Sequence, residues 1–544
     1  MRLKLVGLAL SATALLSCLG QGPRSPVHSG EPWVELKSKH FRVVSDIGEE
    51  EASRVISSFE ETYSLLSEVV FGFAAAPSFT TDAVIFAHHE DLNEFVAEGF
   101  GGVYIPSLPN DIEPSPTVLA SGTLSPFARL LFTHELTHRF NHVALGPTPT
   151  WLDEGLADYY STLRADKSAP VVGEIDPRYM CTPDGLGDLT CYQYEKLAGN
   201  RLPSASELVA LDRDGFYGTE ALERGAATWE QKQKRSKNYS VAWLLVHMLM
   251  NGEQLYANRF RSTLAGPPSS DKGAALAQIV EGVPAGELDR DLHAYLQKSI
   301  PWRQHHAGLP EPPKQLERRP LRDAEVLIWW ARLDSFSGKF AKRARDRLDA
   351  ARTPAPGGES SADAAAWFWR GRYSLLNNNV ADAEQHYKHA LELDPNNPEY
   401  LYGLLDLYWS SRRGMTWLEA AHSTPVEQTI EQLSRTARSP RQLNAVTAHQ
   451  LLSNDVPAAL QTSREACRRG PDCWPCFHNY AAALFASGAA SEAADTELLA
   501  LNRLSEAAPR RIVAELNGAL QYYRRAASDA SFVKGQPPPG LIAP

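Results

Sequence analysis

The sequence predicts a multidomain chain, with an α+β domain first and an all-α solenoid after it. Short alternating apolar segments interleave with helical ones from residue 33 to about residue 304. A proline-rich stretch at 305–321, containing Pro310, Pro312, Pro313 and Pro320, reads as a linker. From 322 to 526 the pattern is almost wholly helical, and small residues recur in it at a fixed interval. The 544 residues leave room for several domains, and 43% hydrophobic with 22% charged residues is an ordinary globular composition. A formal net charge of -11 argues against nucleic acid or an anionic lipid surface as partner, because both need a basic face.

The first 17 residues read as an export signal. Arg2 and Lys4 precede an apolar run, Leu5 to Leu16, that is too short to span a bilayer comfortably. The run ends Leu15-Leu16-Ser17-Cys18, which resembles the lipobox of bacterial lipoproteins. The resemblance implies cleavage before Cys18, lipidation of its thiol, and anchoring to a membrane through that lipid alone. Leu19 rather than Asp follows, which by resemblance implies the outer membrane, on either its periplasmic or its surface side. The alternative is a plain secretory signal with an incidental Cys18. Residues 18–32, rich in Gly, Pro and Ser, read as a flexible tether.

The α+β domain, 33–304, opens with strand-like Trp33-Val34-Glu35-Leu36 and Phe41-Arg42-Val43-Val44. An amphipathic helix over Glu49–Val70, a buried strand over Ala83–Ala87, a short helix over Glu90–Ala97 and a strand over Thr117–Ala120 follow. Leu130, Leu131 and Leu136 give 126–143 a helical period, 152–164 reads as the next helix, and 239–250 as a strongly apolar one.

Within the 126–143 helix stands His134-Glu135-Leu136-Thr137-His138. Histidines at i and i+4 project from one helical face, so both imidazoles can reach one ion at about 2.0–2.1 Å. Glu135 lies beside them, where a carboxylate can take a proton from water without ligating. Downstream runs Trp151-Leu152-Asp153-Glu154-Gly155-Leu156-Ala157-Asp158-Tyr159-Tyr160. Together these resemble the gluzincin (thermolysin-like) metallopeptidases, specifically peptidase-MA-like domains. The resemblance implies one Zn²⁺ per chain, with Glu154 as third ligand and Asp158 supporting a ligand histidine. It also implies hydrolysis of a peptide or protein substrate with Glu135 as general base. A segment of aminopeptidase-N-like relatives, where a helix-start tyrosine steadies the oxyanion, resembles Asn238-Tyr239-Ser240-Val241-Ala242-Trp243. Tyr239 is therefore either that donor or a helix-start packing aromatic. The G-x-M-x-N segment of aminopeptidases is absent, which favours an endopeptidase.

Other histidines read differently. His142 continues the row but sits a further 5.4 Å along the helix, so it reads as a helix-end or core residue. His88 and His89 read as surface or substrate-side residues, and His247, in an apolar helix, as a satisfied core residue. Tyr159 and Tyr160 read as structural.

In the helical half, Trp367, Gly371, Ala383, Tyr387, Ala390 and Pro395 fall at the spacing of the 34-residue tetratricopeptide (TPR) pattern. Ala459 and Ala466 recur as Ala493 and Ala500, with Ala481 at the small-residue position of the later repeat. Such a solenoid would hold a protein partner on its concave face. Residues 527–544 read as a disordered, proline-rich tail. Cys181 and Cys191 flank a turn-rich loop that a disulfide would stabilise by roughly 3 kcal/mol. Cys467, Cys473 and Cys476 leave an odd thiol. The Cys473-Trp474-Pro475-Cys476 spacing suits a structural disulfide or, alternatively, a metal or redox role. A rival to the enzyme is an outer-membrane scaffold whose zinc domain is structural or vestigial.

The lipobox resemblance generates a direct expectation: the mature chain begins at Cys18 and partitions with membranes, and Cys18→Ser leaves it soluble or unprocessed. Mass spectrometry of the mature N-terminus decides, and an unmodified start elsewhere removes the anchor.

Overall fold

Alternating apolar residues in the first strands become β1 (Val34–Lys37) and β2 (Phe41–Ser45), an antiparallel pair. The computed structural model describes residues 30–528, apart from 72–79, 96–101, 106–116, 123–125, 147, 167–168, 175–203, 218–228, 267–270, 298–302, 305–315, 337–340, 353–363, 412–422, 472 and 505–509. Cys18, Cys181 and Cys191 therefore lie outside the described residues, as do the signal segment and most of the tether. The last tether residues are docked, since the Glu31 amide donates to the Asp46 carbonyl at 2.9 Å.

After α1 (Glu49–Leu65), which continues as a π-helical turn over Leu66–Phe71, come β3 (Thr81–Phe86), the short α2 (His89–Leu92), β4 (Gly102–Ile105) and β5 (Thr117–Ser121). The helix expected over Glu90–Ala97 is shorter than the spacing predicts. Strands β2, β3 and β5 are parallel, with β1 and β4 antiparallel beside them. Alternate residues face opposite sides. Phe41, Val43, Ala83, Ile85 and Val118 pack beneath α1 and α3 (Pro126–Leu145). Val44, Val84, Phe86 and Leu119 point to the other side. Parallel strands apolar on both faces need a helical layer over each.

Helix α4 (Thr150–Ser161) follows α3, and then come β6 (Arg164–Asp166) and β7 (Ala169–Val172). Two short helices, α5 (Ala205–Val209) and α6 (Arg213–Tyr217), precede the long α7 (Trp229–Asn251). The region closes with α8 (Leu255–Leu264), α9 (Lys272–Glu281), α10 (Ala285–Leu296) and β8 (Arg303–Gln304), which pairs antiparallel to β7.

The second layer over the central sheet comes from beyond the proline-rich stretch; of the linker expected at 305–321, residues 305–315 lie outside the described residues and the end is a strand rather than a linker. Glu317–Pro320 is a strand, β9, paired antiparallel to β1 at the edge of a six-stranded sheet ordered β4-β5-β3-β2-β1-β9. Pro320 is tolerated because an edge strand need not donate on its outer side. The Leu321 amide then donates to the Trp33 carbonyl at 2.9 Å. The chain enters α11 (Asp323–Phe336), the first helix of the C-terminal half. Val326, Trp329, Trp330 and Leu333 line one stripe at i, i+3, i+4 and i+7 and close over Val84, Phe86 and Leu119. Arg42, paired with Asp82 at 2.7 and 2.6 Å, lies 4.9 Å from the ring centre of Trp329. The opposite stripe, Ile328 and Ala331, packs on Ala344 and Leu348 of α12 (Ala341–Ala351). Asp334, fully buried, binds Arg343 at 2.8 Å, and Arg343 also reaches Glu94 of the α+β region at 3.0 Å. One helix thus belongs to both cores.

Paired helices follow: α13 (Ala364–Leu376) with α14 (Val380–Leu393), α15 (Pro398–Ser410) with α16 (Thr424–Thr436), α17 (Pro440–Leu452) with α18 (Val456–Arg469), and α19 (Trp474–Ala486) with α20 (Ala490–Leu501). The small-residue register is as the period predicts, with Ala459, Ala466, Ala481, Ala493 and Ala500 all at 0% exposure. At Gly371 an added Cβ would stand 2.6 Å from the Tyr387 ring, so only glycine admits that close crossing. In the last pair His478 Nδ1 and the Glu497 carboxyl meet in a buried hydrogen bond at 2.8 Å. Helix α21 (Arg510–Ser528) runs two residues into the segment expected to be a tail, and 529–544 lie outside the described residues. Cys473 and Cys476 form a disulfide at the start of α19, and Cys467 is free, its thiol pushed up to about 12 by burial. No helix of the described residues is long and apolar enough to cross a membrane.

The shared helix makes Trp330, 1% exposed, a measurable joint. Trp330→Ala should destabilise the α+β core by roughly 3–5 kcal/mol, and a chain ending at residue 304 should fail to fold. Denaturant unfolding of the variant tests this; an unchanged midpoint, or a stable fragment 30–304, removes the joint.

Candidate metal centre

Helix α3 carries His134 and His138 one turn apart, and α4 crosses it with Glu154. A third helix, α7, lies against α4. Their contact is set by Gly155, where an added Cβ would stand 2.7 Å from both the Ala242 carbonyl oxygen and Val246 Cγ2. The glycine beside Glu154 thus lets two helix backbones approach and seals the far side of the site.

The three candidate ligands converge. His134 Nε2 lies 3.3 Å and His138 Nε2 3.6 Å from Glu154 Oε2, and the two Nε2 atoms are 3.1 Å apart. A tetrahedral ion with ligands at about 2.0–2.1 Å has edges of roughly 3.3 Å, so this triangle fits zinc. Glu154 Oε2 is buried and makes no hydrogen bond, an orphaned acceptor that a cation would satisfy.

Carboxylates behind both rings fix which nitrogen faces inward. Asp158 Oδ1 lies 2.8 Å from His134 Nδ1, where the sequence places it. Asp153 Oδ2 does the same for His138 Nδ1 at 2.9 Å, and its other oxygen accepts from Asn141 Nδ2 at 2.8 Å. Sequence reading missed Asp153 and Asn141, although Asp153 adjoins Glu154 and Asn141 follows His138 by three. It also missed Tyr217, whose hydroxyl donates to Glu154 Oε1 across 63 residues of chain. No local pattern signals that contact.

Charge is concentrated here. Burial opposes protonation of His134, yet the Asp158 and Glu154 carboxylates beside it prevail and raise its pKa to about 10. His138 is raised well above its ordinary value in the same way, by Asp153 and Glu154 against burial. Glu154 is held low despite burial by the two histidines. Glu135 is pushed up, chiefly by burial.

Tyr239 requires a correction: it lies ten residues into α7, which begins at Trp229, and is not at a helix start. It still borders the site. Its ring packs on Phe216 at 5.2 Å and Tyr217 at 6.4 Å, and burial, with the charges of Glu154 and Asp158, pushes its phenol up. His247 is a satisfied core residue, with Tyr295 Oη at 2.7 Å and the Gly173 carbonyl at 2.9 Å. His88 and His89 are exposed, and Tyr159 and Tyr160 are buried. The His142 side chain lies outside the described residues.

The neighbouring carboxylates raise both histidines, His134 to about 10, and hold Glu154 low, so the metal-free site favours holding protons on its imidazoles. Zinc takes only neutral imidazole, so binding should release protons, and affinity should climb as pH rises. Titration calorimetry in buffers of different ionisation enthalpy measures this. Binding without proton release contradicts the electrostatics.

A family model for the tetratricopeptide repeat matches residues 364–397, the α13–α14 hairpin and the turn after it. The C-terminal region therefore contains TPR repeats. No curated protein matches the chain. Among solved structures, a thermophilic TPR protein of Thermus thermophilus is 16% identical, covering 38% of this chain and all of that one, with a TM-score of 0.27. A signal-transduction ATPase with a tetratricopeptide repeat sensor, from Pyrococcus horikoshii, is 11% identical over 88% of this chain and 72% of its own, with a TM-score of 0.25. Superpositions this loose do not establish a shared fold.

Proposed function

We propose that this protein is a zinc-dependent peptidase of the cell envelope, with a repeat domain that binds a protein partner or the substrate. What carries the reading is the orphaned Glu154 Oε2, buried and facing the two Nε2 atoms within 3.6 Å. His134, His138 and Glu154 would hold one zinc ion, which when bound supplies Lewis acidity toward a carbonyl and toward water. Three protein ligands leave a position open, as a catalytic site requires. Glu135, pushed up by burial, accepts the proton of the attacking water and returns it to the leaving amine. Tyr239 is the proposed donor to the oxyanion. The resemblance to gluzincins supports peptide-bond hydrolysis, and the absence of a G-x-M-x-N segment favours endopeptidase action. An outer-membrane lipid anchor at Cys18 would place that action in the envelope.

A second reading has one observation in its favour, the TPR match at 364–397. TPR repeats mediate binding to protein partners, and a scaffold could keep zinc as a structural ion. Glu135 separates the two readings, because a scaffold has no use for a general base beside the metal.

Glu135→Gln keeps size and leaves the ligands in place, but an amide cannot take the proton. The variant should fold, carry zinc, and lose about 10²–10⁴-fold in turnover on a peptide library. Equal cleavage by parent and variant removes Glu135 from the role. Absence of cleavage by a fully zinc-loaded parent favours the scaffold.

A further inference from the structure

We propose that Tyr217 is a positioning residue that holds Glu154 to one-oxygen ligation and so keeps the metal's fourth position open. The inference rests on the zinc reading above and concerns how this chain orients its third ligand.

Tyr217 ends the short helix α6, which is fixed independently of the site. The Gly215 amide donates to Asp212 Oδ1 at 2.8 Å at its start. Phe216, 1% exposed, plugs into the core, and its carbonyl accepts from Asn238 Nδ2 at 2.9 Å. With Phe216 held on both counts, the next residue points toward α4, where its hydroxyl donates to Glu154 Oε1. The ring is steadied by Arg213, 5.4 Å from its centre, and by Phe216 edge-on at 5.3 Å.

The consequence lies in which oxygen remains. The phenol occupies Oε1, so Oε2 is the oxygen that makes no hydrogen bond and faces both imidazoles. Without the phenol, Oε1 of this buried carboxylate would lose its partner. The group could then turn to present both to the ion. Two-oxygen ligation would fill the position that a substrate carbonyl needs. The hydrogen bond also stabilises the ionised ligand, as partners of metal ligands commonly do.

The test compares Tyr217→Phe with the parent and with Tyr256→Phe, which removes a phenol bonded to Asp291 at 2.9 Å instead. Zinc affinity is read by competition with a chromophoric chelator at pH 7, and coordination number by the visible absorption of the Co²⁺-loaded protein. Tyr217→Phe should bind zinc about 10–100-fold more weakly and show the weaker absorption of a more highly coordinated cobalt ion, while Tyr256→Phe matches the parent. Cooperative thermal unfolding of the metal-free forms checks that both variants fold, Phe keeping the ring contacts. Equal affinity and equal cobalt spectra in Tyr217→Phe and the parent overturn the positioning role and leave the metal centre standing. A parent that binds no zinc overturns both.

Discussion

The central sheet must be covered on both faces, and the rest of the architecture follows from that requirement. Val43 and Ile85 face one way while Val44 and Phe86 face the other, so each inner strand is apolar twice over. One cover, α1 and α3, is local in sequence. Its packing orients α3 with Phe132, Leu136 and Phe140 inward, which leaves His134 and His138 on the side where α4 crosses. The other cover comes from α11, which starts at Asp323, far downstream of inner strands that end by Ser121. The described end of the proline-rich passage, Glu317–Pro320, completes the sheet on the way to the helix that roofs it.

The metal centre shows what it takes to gather like groups in a confined space. Two imidazoles with Nε2 atoms 3.1 Å apart would repel if both were cationic and unpaired. Asp158, Asp153 and Glu154 supply compensating charge, and the protons that result are those a metal must displace. The same carboxylates orient the rings, so the site is shaped before any ion arrives. Close approach of α4 and α7 at Gly155 is the steric condition for this, since any side chain there would push the helices apart.

The repeats obey the same economy of space with different chemistry. Tyr387 fills the hairpin of α13 and α14 against Gly371 and Phe368. In the α19–α20 hairpin the corresponding contact is His478 with Glu497, both almost fully buried, 2.8 Å apart. Two buried polar groups are tolerated there because each hydrogen-bonds the other. The period dictates where helices cross, and the residue types at the crossing are free to vary so long as the volume is filled and polar atoms find partners.

The sequence by itself determined the elements and chemistry that are local. The i, i+4 spacing put His134 and His138 on one face, Asp158 fell one turn beyond Glu154, and the 34-residue period fixed Ala459, Ala466, Ala493 and Ala500 as buried contacts. Each depends on helical geometry alone. Only the tertiary structure decided what depends on distant partners. Tyr217 reaches Glu154 across 63 residues, and Tyr239 proves to lie mid-helix because α7 starts at Trp229. Glu317–Pro320 becomes a strand because β1 has a free edge, and the stripe of α11 turns to the sheet because Val84 and Phe86 need cover. Local pattern records which face of an element is apolar; which surface meets that face is settled by the packing of the whole chain.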